Sequence, residues 1–208
     1  MKAIFPLTYL GPISYYANML QYEEVFIEKN EHFIKQSYRN RCDIVGASGK
    51  LSLSVPTFRK GRDKTIIDQV GISNDSSWQA LHWRSICTAY RSSPYFEYYE
   101  EDFENFFLEP KINLFDFNLE LTKVIMKRLG MEVKFTMTEE FVLKQEIPDF
   151  RPNYSRKSPD NNKYPRYIQV FEDRVGFNEN LTILDLLFNQ GPSSIEYLKT
   201  VELNQVAV

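Results

Sequence analysis

The chain is poor in the residue types on which small stapled or metal-bound domains depend. Its 208 residues include two cysteines, Cys42 and Cys87, too few for a disulfide framework and without a CxxC pair. The two histidines, His32 and His82, have no partner at the i, i+3 or i+4 spacing of helical metal sites, so neither a metal nor another cofactor is expected. Eight glycines against ten prolines exclude a Gly-rich fibre or linker. No apolar run approaches the roughly 20 residues of a membrane span. The first twelve residues carry one internal lysine, two prolines and no small-residue cleavage site, which fits the first strand and loop of a cytoplasmic protein better than a signal peptide. A net charge of −3 provides no bulk attraction for nucleic acid or anionic membrane, and neither is an expected partner.

Aromatic residues are plentiful. Sixteen Phe, thirteen Tyr and two Trp, within 43% hydrophobic and 25% charged residues, describe a folded globular chain and not a disordered one. The length suits a single domain over 1–208. Residues 3–8 form an apolar run closed by Gly11 and Pro12, residues 13–20 suit a short helix and residues 24–28 a second buried strand. Strand, helix and strand within about 30 residues is the pattern of a right-handed unit with parallel strands. The expected class is therefore α/β: a mixed, mostly parallel sheet flanked by helices in a Rossmann-like three-layer arrangement. Further strands are expected at 34–45 and 51–56, joined by a hairpin at Gly46 to Gly49, and at 65–72 and 133–137. Trp78, Leu81, His82, Ser85, Ile86 and Ala89 share one face of a helix over 78–91. A second helix over 112–129 has Asn113 to cap it and Gly130 to end it. Between them, 97–109 holds six acidic residues interleaved with aromatics. Residues 147–167, rich in proline and locally basic, suit neither a helix nor a central strand. Thr182 to Asp185 has capping-box form before a last helix stopped by Gly191 and Pro192.

Nucleophile-elbow, P-loop, dinucleotide-fingerprint and HExxH motifs are all absent. What remains is a set of clusters. On a strand, Lys35, Ser37, Arg39 and Arg41 would share one face, at the spacing of two guanidinium forks gripping a phosphate or carboxylate. The bland alternative is a solvated basic face, or arginines paired with the acidic segment. Residues 58–64 place four cations around Gly61, which suits a surface loop or a phosphate cradle. His82 lies on the apolar face of its helix. It is either a satisfied core histidine or a general acid/base tuned by a carboxylate such as Asp68. Cys42 invites pairing with His82, but small buried thiols are usually inert. Tyr9 and its aromatic neighbours suit either core packing or stacking on a sugar or base.

Several stretches taken together resemble the WbqC-like protein family: Tyr9-Leu-Gly-Pro-Ile-Ser-Tyr-Tyr16, Arg39-Asn-Arg41, Leu53-Ser-Val-Pro56, His82-Trp83 with Ala89-Tyr-Arg91, Pro94-Tyr-Phe96, and Gly176-Phe177 through Asn180-Leu-Thr-Ile-Leu-Asp-Leu-Leu-Phe-Asn189. The resemblance implies a role in surface-polysaccharide synthesis, as a transferase moving an acyl, aminoacyl or related group onto a phosphorylated or nucleotide-linked sugar. On that basis Tyr9, Lys35, Arg39, Asn40, Arg41 and Arg91 are expected to bind the anionic small molecule, with His82 and Asp68 as the acid/base pair. Many relatives open with a His-Gln-Pro-Asn-Tyr-Leu-Pro-Trp-like stretch. Here Phe5 stands where that histidine would be, which leaves either dependence on His82 or a non-catalytic binding or scaffold protein. The oligomeric state is left open.

Overall fold

The computed structural model describes residues 1–59, 65–143, 147–155 and 158–204. Strand β1 (Lys2–Phe5), helix α1 (Ile13–Met19) and strand β2 (Glu24–Ile27) form the expected unit, with β1 and β2 parallel. β1 stops at Phe5 because Pro6 has no N–H to continue the ladder. The loop that follows turns at Leu10, held at a φ of 43°.

The segment read as a strand over 34–45 divides in two. Residues 34–40 are turns, and strand β3 (Arg41–Gly46) begins only afterwards. Gln36 has a φ of 54°, and the Ser37 hydroxyl donates to the Ile34 carbonyl at 2.7 Å, so local bonds replace a ladder. Lys35, Arg39 and Arg41 therefore do not line one strand face. β3 pairs antiparallel with β4 (Gly49–Ser54) in register Arg41 to Ser54, around the expected hairpin with Gly49 at a φ of 106°. A second antiparallel pair joins β5 (Thr57–Phe58) to β6 (Gly71–Ile72). The run read as a strand over 65–72 holds only β6, preceded by a 3-10 turn over Ile67–Gln69.

Helix α2 (Trp78–Tyr90) buries Trp78, His82, Ile86 and Ala89 of the expected face together with Gln79 and Tyr90, whereas Leu81 of that face is exposed. The acidic segment is helix α3 (Phe96–Leu108), which buries Phe96, Tyr99, Phe103 and Phe107. Its acidic residues fall outside that stripe. Helix α4 (Leu114–Leu129) is capped by the Asn113 side chain, which accepts from the Asp116 N–H at 3.1 Å, and ends on Gly130 at a φ of 68°. Strand β7 (Lys134–Met137) then pairs parallel with β2, giving the order β1-β2-β7. The single, mostly parallel three-layer sheet expected from the sequence is thus a three-stranded parallel sheet with two separate antiparallel pairs.

The proline-rich stretch runs along the free edge of β1. The Ile4 N–H donates to the Pro148 carbonyl, and the Phe150 N–H donates to the Ile4 carbonyl. Phe150 stacks on Phe5 with ring centroids 4.3 Å apart. The chain closes with α5 (Glu172–Val175), α6 (Ile183–Gln190) and α7 (Ser194–Thr200). Thr182 caps α6, but Asp185 turns inward to Tyr167 and Gln169 and completes no capping box. Among the described residues no helix is long and apolar enough to cross a membrane.

Candidate functional site

In open α/β sheets, ligands bind beyond the carboxyl ends of the parallel strands. Here that edge carries buried charge. Glu28 directly follows β2 and is fully buried. Its carboxylate accepts from the Asn30 N–H (2.9 Å), the Thr138 hydroxyl (2.7 Å), the Val142 N–H (2.8 Å) and the Arg151 Nη1 (3.1 Å). Arg151 also forks onto Asp149 at 2.9 and 2.7 Å. Beside it, Arg39 donates through Nε and Nη2 to both oxygens of Glu31, at 2.7 and 2.5 Å. Burial pushes the Glu31 carboxyl up, against the pull of Arg39. Arg39 therefore has a buried carboxylate partner from its own chain. Neither Glu28, Glu31, Asp149 nor Arg151 stood out in the sequence. Their one clue is that Glu28 directly follows an apolar strand, and its partner Arg151 lies 123 residues away.

The loop after β1 brings Tyr9 against α2. The Tyr9 hydroxyl and His82 Nδ1 are 2.8 Å apart, with both side chains buried. Trp78 meets the imidazole edge-on at 5.1 Å between centroids, and Phe117 stacks on Tyr9 at 5.8 Å. Burial lowers His82 to about 4, opposed by a hydrogen bond to the Ser54 backbone. With the Ser54 carbonyl taking the ring N–H, Nδ1 is the acceptor for the Tyr9 O–H. Tyr9 stays protonated, because burial holds its pKa well above 10.0. The Cys42 thiol is likewise raised by burial, with Asp43 adding to the rise, so it is no ready nucleophile.

Ser54 joins this pair to the Arg39-Asn-Arg41 segment, since Arg41 is its cross-strand partner. Arg41 Nε and Nη1 and Asn40 Oδ1 are buried without a hydrogen-bond partner among the described residues. Asn40 is fixed by its amide donating to the Val55 carbonyl at 3.1 Å. His82 borders a recess of about 290 Å³, lined also by Ser54, Pro56, Ser77, Trp78 and Leu81. Tyr9, Asn40, Arg41 and His82 are thus connected through β3 and β4. Three expected residues lie elsewhere. Lys35 is exposed in a turn, and Asp68 is exposed in the 3-10 turn over Ile67–Gln69. Arg91, just past α2, pairs with Glu100 at 3.1 Å. Within the basic loop at 58–64, residues 60–64 lie outside the described residues. Among those described, no three His, Cys, Asp or Glu side chains converge as a metal cage.

A mixed α/β protein, with a polar cluster built on the loop after its first parallel strand, is the class this architecture defines. The WbqC-like protein family matches residues 8–157, which span the whole cluster, and the chain belongs to that family. The uncharacterized protein Rv1507c of Mycobacterium tuberculosis (strain ATCC 25618 / H37Rv) is 24% identical over 224 residues, covering 95% of this chain and 96% of the relative. No solved structure matches.

Proposed function

We propose that the protein is a group-transfer enzyme moving an acyl, aminoacyl or related group onto a phosphorylated or nucleotide-linked sugar in surface-polysaccharide synthesis. The observation that carries this is Arg41: its Nε and Nη1 are buried without a partner among the described residues, and it pairs across the hairpin with Ser54, whose backbone hydrogen-bonds His82. A guanidinium fork without a carboxylate is suited to a phosphate or carboxylate ligand. Asn40 orients the bound group. As the acceptor attacks the donor's transferred group and the donor's leaving group departs, the acceptor must lose a proton. Tyr9 takes up that proton as it passes its own to Nδ1 of His82, which is neutral at pH 7. Of the expected anion-binding residues, Arg41 is the one this scheme relies on, because Arg39 is engaged by Glu31.

One observation favours a second reading. His82 is 3% exposed and hydrogen-bonded on both sides, as a purely structural histidine in a ligand-binding protein would be. The two diverge in paired measurements. Thermal unfolding of wild type and Arg41→Ala is compared across sugar phosphates, sugar nucleotides and acyl donors. A saturating ligand stabilises the protein by about 3 kcal/mol at 100 times its Kd, and that shift should vanish in Arg41→Ala. Transfer is then assayed in Tyr9→Phe and His82→Gln. Lost turnover with retained binding supports the enzyme. Retained binding with no turnover in any variant, wild type included, supports the binding protein. No shift across the panel would defeat the Arg41 assignment.

A further inference from the structure

The proline-rich excursion closes over the side of α1 to form a cleft of about 390 Å³, within the usual range for small-molecule pockets. It is far from apolar. Asn18, Asn153, Asn161, Asn162, Asn180 and Asn204 line it with Tyr38, Tyr154 and Asp160. Its floor is fixed by internal bonds. Asp160 accepts from the Asn162 side chain at 2.9 Å, from the Tyr164 hydroxyl at 2.8 Å and from the Asn180 amide. The Tyr154 hydroxyl accepts from the Asn18 amide at 3.0 Å and donates to the Ser14 carbonyl at 3.2 Å. The rim differs. The side chains of Asn153, Asn161 and Asn204 are exposed and make no hydrogen bond among the described residues. The half-buried Tyr38 completes the wall. Burial, with Asp43 and Asp160 nearby, pushes its hydroxyl up to about 12, so it stands as a protonated donor.

We infer that this asparagine-lined cleft is a binding site for a polyhydroxylated ligand, the chemistry of a sugar or short glycan. A carboxamide presents a donor and an acceptor side by side, which matches two neighbouring hydroxyls on a ring. The amphipathic ring of Tyr38 offers an apolar face beside its hydroxyl. The cleft communicates with the loop after β1, because the Tyr38 carbonyl accepts the Tyr9 N–H at 2.8 Å. None of its lining residues belongs to the Tyr9, His82 and Arg41 cluster, and the inference does not depend on the transfer proposal.

The test is saturation-transfer NMR on the full chain with lactose, cellobiose and N,N′-diacetylchitobiose, with glucose 6-phosphate as the anionic comparator. Wild type is expected to saturate at least one neutral disaccharide. The Asn161→Ala/Asn204→Ala double variant should weaken that binding roughly tenfold through two lost hydrogen bonds. Its melting temperature should not change, because both side chains are exposed. Tyr38→Phe keeps the ring and should also weaken binding, while Arg41→Ala should leave it intact. No transfer to any neutral sugar would overturn the assignment, as would transfer indifferent to both cleft variants. Binding of glucose 6-phosphate alone, abolished by Arg41→Ala, would likewise overturn it while sparing the transfer proposal.

Discussion

At the scale of single residues, two buried groups make opposite demands on pH. His82 is lowered by burial from 6.5 to about 4, so the unfolded chain binds the extra proton across that interval. Its contribution to stability is complete above about pH 6.5 and is lost as pH falls towards 4. Asp185, raised by burial from 3.8 to about 6, behaves in reverse: the folded chain holds the extra proton, and stability is lost as pH rises from about 4 to 6. Each effect is on the order of 3 kcal/mol, and in wild type they largely cancel. Chemical denaturation at steps from pH 4 to 7 should show His82→Gln losing stability as pH rises, relative to wild type, and Asp185→Asn gaining it. Parallel profiles for all three proteins would contradict this account. A second prediction concerns Glu31 and Arg39. Removing either partner leaves an uncompensated buried charge, so Arg39→Met should cost about 3–5 kcal/mol. Joint replacement of both by Met should recover much of that loss, since apolar groups need no partner. Arg41→Ala, which breaks no ion pair among the described residues, should unfold close to wild type.

Individual elements were legible wherever the period of apolar residues was clean. Most of the α2 face, helix α4 with its caps Asn113 and Gly130, and the hairpin through Gly49 follow from local chemistry. Asn113→Ala should therefore cost about 1 kcal/mol in equilibrium unfolding, the usual value for a lost N-cap. A change within a few tenths would mean that α4 is held by packing alone. Elsewhere local pattern misled or was passed over. The α3 stripe is present in the sequence, interleaved with acidic residues that face away from the core. The basic run before β3 alternates like a strand and folds as turns. Arg39 is drawn inward to Glu31, a contact between two turns that strand periodicity does not encode. Part of the candidate site was legible for a related reason: Tyr9 and His82 each sit at a recognisable boundary or face. Their 2.8 Å contact spans 73 residues and has no local signature.

Across the whole molecule, the proline-rich excursion is part of the packed body. Phe150, Tyr154, Tyr164 and Tyr167 are buried, and Phe150 stacks on the core residue Phe5. Phe150→Ala should cost about 3–5 kcal/mol, lowering the melting temperature by roughly 2–4 °C per kcal/mol. A surface loop would shift it hardly at all, and calorimetry separates the two. By itself the sequence determined the composition of a folded α/β chain, the βαβ opening, helices α2 and α4 with the caps of α4, and the family resemblance. These rest on contacts a few residues apart, which periodicity and capping chemistry record directly. Only the tertiary structure decided that the sheet stops at three parallel strands, that Arg39 is consumed by an ion pair while Arg41 is not, and that six asparagines from distant segments share one cleft. Those outcomes depend on which charges and amides meet in the folded chain, from eight residues apart for Arg39 and Glu31 to 136 for Asn18 and Tyr154. Chain order does not record that choice; the competition between desolvation and partnering in the folded core makes it.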